Sequence, residues 1–99
     1  SGAIYAASKA AVISLTRSLA REWAPWRVNC VAPGPTSTDQ FLYNVGISDQ
    51  IAEKERSPHR RLIKPAEVAD AMISLCRLTA VSGVCLPVDL AGSTSTRRL

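Results

Sequence analysis

Two residues near the start of this 99-residue chain have side chains suited to moving a proton: Tyr5 and Lys9. Four residues apart, they share one face if the segment is helical. An ammonium beside a phenol favours the phenolate and lowers a tyrosine pKa from about 10. A tyrosine tuned towards neutrality can pass a proton to or from an alcohol or carbonyl oxygen. The spacing alone is weak, since chance produces such a pair in roughly one chain in ten of this size. A bare Tyr–Lys surface contact is the competing reading.

The other chemistry-bearing residues form no motif of their own. Cys30, Cys76 and Cys85 are widely spaced, with no CxxC pair. That argues against a zinc site or a redox motif and for buried, reduced thiols in a cytoplasmic protein. His59 has no second histidine at ligand spacing, so it reads as an exposed loop residue and no metal site is expected. The net charge of +4 collects at Arg56, Arg60, Arg61, Lys64 and Arg97-Arg98. Aromatics are few and no basic stripe forms, so a nucleic-acid partner is not expected. A salt-insensitive absence of binding to DNA or RNA would dispose of that reading. No apolar run approaches the roughly 20 residues of a membrane span. No signal peptide is visible, and the missing initiator Met hints that something precedes Ser1.

The elements that must position Tyr5 and Lys9 follow from the hydrophobic pattern. Residues 4–23 read as a helix with Val12, Leu15, Leu19 and Trp23 as its buried stripe, ended by Pro25. Ala6, Ala7, Ala10, Ala11, Ser14 and Ser18 make the rest small-sided, so another helix can approach closely. Residues 27–32 read as a strand covered on both faces, stopped by Pro33-Gly34-Pro35. Residues 36–61 have no clean period and read as a lid or loop, with helical turns over 49–55 capped by Ser48 or Asp49. Residues 65–78 read as a helix with Pro65 in its first turn and Ala69, Met72, Ile73 and Cys76 as its apolar face. Residues 84–90 are the last strand, and 92–99 a loose tail.

The order is helix, strand, lid, helix, strand. Strand–helix–strand implies parallel pairing with a right-handed crossover, one unit of an α/β sheet. Two strands cannot complete such a sheet. The expected fold class is therefore α/β, the C-terminal part of a doubly wound, Rossmann-type parallel sheet, with residues 1–99 as one partial domain.

Several segments occur in a telling order. They are Tyr5-Ala6-Ala7-Ser8-Lys9, Arg27-Val28-Asn29 through Pro33-Gly34 to Thr38, Arg61 through Pro65 to Glu67-Val68-Ala69, and Ser82-Gly83 through Val88-Asp89. Together they resemble the C-terminal portion of the short-chain dehydrogenases/reductases. The resemblance implies an oxidoreductase that interconverts an alcohol and a carbonyl by hydride transfer, using NAD or NADP. It makes Tyr5 the general acid/base and Lys9 the group that lowers its pKa and hydrogen-bonds the nicotinamide ribose. Pro33 and Gly34 would turn the chain at the carboxyl end of a strand, where open α/β sheets bind ligands. Thr36 would offer backbone groups to the carboxamide, and Thr38 would contact the carboxamide or pyrophosphate. A hydroxyl-capped turn explains both threonines equally well. Phe41, Leu42 and Tyr43 begin the segment that covers substrate in the family, or simply pack the lid. Arg61 and Glu67 match positions expected to be structural. Asp89 matches one near a core or subunit interface, and Asn29 should tie down a neighbouring turn.

Parts of the family pattern are absent. No glycine-rich phosphate turn is present. The family serine lies about a dozen residues before the tyrosine, so Ser1 is not its replacement, and the family asparagine is also upstream. Ile63 stands where glycine is frequent, and Leu90-Ala91 replaces a glycine pair. Two functions remain open: an oxidoreductase fragment, inactive alone, or a non-catalytic oligomerisation fragment that forms a homo-oligomer through the small-sided helix face.

Overall fold

Small, unbranched side chains between Gly2 and Glu22 sustain the longest helix, α1 (Gly2–Glu22). It is followed by β1 (Cys30–Pro33), α2 (Asp39–Asn44), α3 (Ile47–Arg56), α4 (Pro65–Arg77) and β2 (Cys85–Val88). The computed structural model describes residues 2–94. They group into two units: one takes the chain up to Val31 together with Met72–Leu86, the other Ala32–Ala71 together with the chain from Pro87. The expected tail at 92–99 lies mostly outside the described residues.

The two strands pair as the pattern required. The Cys30 amide donates to Val84 O at 2.9 Å, and the Gly34 amide to Val88 O at 3.1 Å. The sequence offset is the same at both bonds, so the strands run parallel. In a parallel ladder this register sets Cys30 beside Cys85 and Gly34 beside Asp89. Both strands are shorter than the apolar pattern suggested, because the preceding residues find other partners. The Val28 amide donates to Ser82 Oγ at 3.2 Å. Asn29 Nδ2 donates to Val81 O at 3.0 Å, and its Oδ1 accepts from the Val84 amide at 3.0 Å. Asn29 does tie down a turn, the one that enters β2.

In the first unit the buried residues are Thr16 and Leu75. This corrects the expected stripe on α1: Val12, Leu15 and Trp23 are each at least 51% exposed. The face that packs carries Ile13, Thr16 and Ala20, with Leu19 beside it. Gly83, at φ 79°, brings its backbone against this face, where an added Cβ would meet Ala20 Cβ at 3.4 Å. Thr16 turns its hydroxyl back to Val12 O at 2.8 Å, so its burial leaves no orphan donor. The α4 stripe shifts likewise. Ala69, Met72, Ile73 and Cys76 are exposed, while Val68, Ala71 and Leu75 turn inward. Both helices carry apolar residues around most of their circumference, so helical period could not select the packing face. Cys76 is exposed and Cys30 and Cys85 are half-buried, so the cysteines are not uniformly buried.

In the second unit the buried centre is Ile63, 3% exposed. The residue that departs from a frequent glycine is thus the one hydrophobe this unit buries among its described residues. Its amide donates to Pro35 O and its carbonyl accepts from the Ser37 amide, each at 2.9 Å, forming a parallel bridge with Thr36. Residues 36–61, expected as a lid or loop with helical turns over 49–55, contain two helices, α2 and α3. Gly46 is the N-cap of α3, so Ser48 and Asp49 lie inside its first turn and cap nothing. Gln50 joins the two helices, donating through Nε2 to Leu42 O at 2.9 Å and Val45 O at 2.7 Å.

Candidate active site

Tyr5 and Lys9 lie on one face of α1, as their spacing demands. The Lys9 ammonium sits 5.4 Å from the centroid of the Tyr5 ring, within cation–π range. Tyr5 is 65% exposed, so its phenol is open to a ligand. Ser8 donates to Tyr5 O at 2.7 Å, which spends its hydroxyl on the helix backbone.

Of the residues expected to hold the cofactor, Lys9 lies in the first unit and the others follow one another in the second. Pro33 ends β1, and Gly34 makes the last ladder bond. An added Cβ on Gly34 would stand 3.0 Å from Asp89 Cβ and 3.2 Å from its Cα, so close strand packing demands glycine here. Thr36 Oγ1 donates to Gly34 O at 2.8 Å. Thr38 is the N-cap of α2, its hydroxyl accepting from the Phe41 amide at 3.2 Å. Both hydroxyls thus have local partners, and any ligand contact of theirs competes with these bonds. Phe41, Leu42 and Tyr43 occupy α2. Phe41 is half-buried, whereas Tyr43 is 90% exposed. A hollow of about 300 Å³ opens between Gly34-Pro35, the end of α3 at Glu53, Arg56 and Ser57, and Asp89, Gly92 and Ser93. It lies beyond the carboxyl ends of the strands, the usual ligand position in open α/β sheets.

Two arginines fix the ends of α4. Arg27 closes the end of α4, its guanidinium donating to Leu75 O, Cys76 O, Leu78 O and Val81 O at 2.7–3.1 Å. A lone arginine after a helix gave no sequence signal for that role, because its acceptors lie about fifty residues downstream. Arg61 grips Glu67 with both nitrogens, at 2.7 and 2.9 Å, and Glu67 also accepts from the Lys64 amide at 3.0 Å. Glu67 thereby caps the start of α4. The Arg61 hydrogen bonds, then the Lys64 amide, hold its carboxyl down at about 2. His59 is an exposed loop residue, and no group of three or more metal-ligating side chains occurs among the described residues. No helix among them is long and apolar enough to cross a membrane.

A parallel strand pair with a helical crossover, preceded by a helix carrying Tyr5 and Lys9, makes up a partial α/β fold. A family model described as enoyl-(acyl carrier protein) reductase matches residues 1–93. Carbonyl reductase family member 4 of Danio rerio is 42% identical over 88 residues, covering 87% of this chain and 35% of that protein. A short-chain dehydrogenase/reductase crystal structure from Brucella melitensis superposes with a TM-score of 0.83 at 33% identity, covering 92% of this chain and 38% of that one. A small-chain dehydrogenase solved in complex with NADPH gives a TM-score of 0.75 at 25% identity, over 84% of this chain and 39% of that one. The chain belongs to the short-chain dehydrogenase/reductase family. It spans about a third of the length of the curated relatives it matches.

Proposed function

We propose that the intact protein containing this chain interconverts an alcohol and a carbonyl by hydride transfer with NAD(H) or NADP(H). The observation that carries the reading is the exposed Tyr5 phenol with the Lys9 ammonium 5.4 Å from its ring. The dinucleotide supplies or accepts the hydride. Tyr5 gives its proton to the carbonyl oxygen during reduction and takes it back during oxidation. Lys9 stands beside the phenol, and its ammonium donors suit ribose hydroxyls. Pro33, Gly34, Thr36 and Thr38 line the dinucleotide's nicotinamide end, and Phe41, Leu42 and Tyr43 cover the substrate. The NADPH bound by one structural relative supports this cofactor class.

The test is Tyr5→Phe in the intact protein, assayed for dinucleotide-dependent turnover of carbonyl substrates. The general-acid contribution predicts a loss of about 10²–10⁴ in kcat with dinucleotide affinity kept. Unchanged turnover would overturn the assignment. The 99-residue chain alone is expected to show none, since it carries no glycine-rich phosphate turn.

A second reading rests on the exposed small-residue face of α1. Ala6, Ala7, Ala10, Ala11, Ser14 and Ser18 all face solvent. Close helix approach there would form a homo-oligomer, catalytic or not. A monomer by light scattering across a wide concentration range would count against it. A cytoplasmic location agrees with cysteines left as thiols; oxidising-compartment targeting of a reporter fusion would refute it.

A further inference from the structure

We infer that Cys30 and Cys85 form a dithiol that closes reversibly into a disulfide across the two parallel strands. The residues are far apart in sequence, and only the strand register joins them. Two ladder bonds, Cys30 N to Val84 O and Gly34 N to Val88 O, fix that register. Register partners in a parallel ladder project to the same side of the sheet. Adjacent strands lie about 4.8 Å apart, inside the roughly 4.4–6.8 Å between Cα atoms that a disulfide spans. Both thiols are half-buried, which admits small oxidants and excludes large ones. Burial, and then a hydrogen bond with Cys30, push the Cys85 thiol up, while the Arg17 charge acts in the opposite direction.

The chemistry needs a two-electron oxidant, and a hydroperoxide is the class proposed. One thiolate attacks the peroxide oxygen, giving a sulfenic acid and, with hydrogen peroxide, one water. The second thiol attacks that sulfur, forms the S–S bond and expels a second water. Two thiols and one peroxide thus give one disulfide and two waters. A thiol reductant reverses the change.

The experiment treats the intact, reduced protein with hydrogen peroxide under native conditions. Remaining thiols are alkylated before tryptic digestion and mass spectrometry without reduction. Cleavage after Arg27, Lys54, Arg61 and Arg77 leaves the three cysteines on separate peptides. The expected product is a Cys30–Cys85 cross-link lacking two hydrogens, in about ten-fold excess over any link to Cys76, whose α4 position is not paired with either strand cysteine. Cys76→Ser should preserve the link. Cys30→Ala and Cys85→Ala should each abolish it. Oxidation of Cys76 without a Cys30–Cys85 link, or a link that forms only after denaturation, would overturn the proposal.

Discussion

Replacing Ala91 with glycine should stabilise the protein, although it removes a methyl group. Ala91 has φ 65° and its neighbour Leu90 φ 50°, both in the left-handed region. An L-residue there carries a cost of about 1–2 kcal/mol from its Cβ. Glycine removes that cost and adds about 0.5–1 kcal/mol of unfolded-chain entropy. The net gain is about 0.5 kcal/mol, because Ala91 is exposed and buries nothing worth keeping. Its carbonyl keeps its donors in either variant: Thr94 N at 3.1 Å and Thr94 Oγ1 at 2.7 Å, beside Gly92 N to Asp89 O at 2.9 Å. Ala91→Val adds a β-branched side chain where even alanine is strained, and should cost about 1 kcal/mol more. Thermal unfolding of the two variants against the parent checks this. For a chain of 99 residues, glycine should raise Tm by about 2–4 °C and valine lower it by about 4–8 °C. A fall for glycine, or two shifts of the same sign, would refute the left-handed turn.

Three other perturbations read the same scaffold. Gly34→Ala drives a Cβ to 3.0 Å from Asp89 and should cost about 1–3 kcal/mol by denaturant titration, the overpacking range. Arg27→Lys keeps the charge but loses the planar fork over four carbonyls, and should cost about 2 kcal/mol by the same measurement. Glu67, held at about 2 against an ordinary 4.5, adds stability that is fully present above pH 4.5 and is lost as pH falls towards 2. Glu67→Gln should flatten the stability–pH curve in that window alone; a slope unchanged by the substitution would remove Glu67 as its source. The effect should be modest, since about a third of the Glu67 side chain is exposed.

Much of the scaffold was legible in the residues themselves. Pro65, Pro33-Gly34-Pro35 and Pro25 mark element ends because ring closure and missing amides act locally. The Tyr5–Lys9 pairing on one helical face is equally local, a consequence of 3.6 residues per turn. Ordered segments across the chain carried the family. The α2 helix was harder to read: it is only Asp39–Asn44, too short for a period, and its clearest mark is the Thr38 cap.

Other features depended on residues distant in the chain. Which faces of α1 and α4 turn inward was decided by Gly83 approaching Ala20 and by the strands behind Leu75, since both helices offer apolar residues on several sides. Arg27 found its four carbonyl partners through the path of the chain after α4. Leu90 and Ala91 entered the left-handed region because the turn after β2 needs it, where the sequence showed only a missing glycine pair. The placing of Tyr5 and Lys9 on one helical face is therefore what sequence alone determined of the candidate site, because one helical turn needs no tertiary help. The pairing of Cys30 with Cys85 belongs to the tertiary structure, because strand register is set by hydrogen bonds between segments that sequence spacing keeps apart.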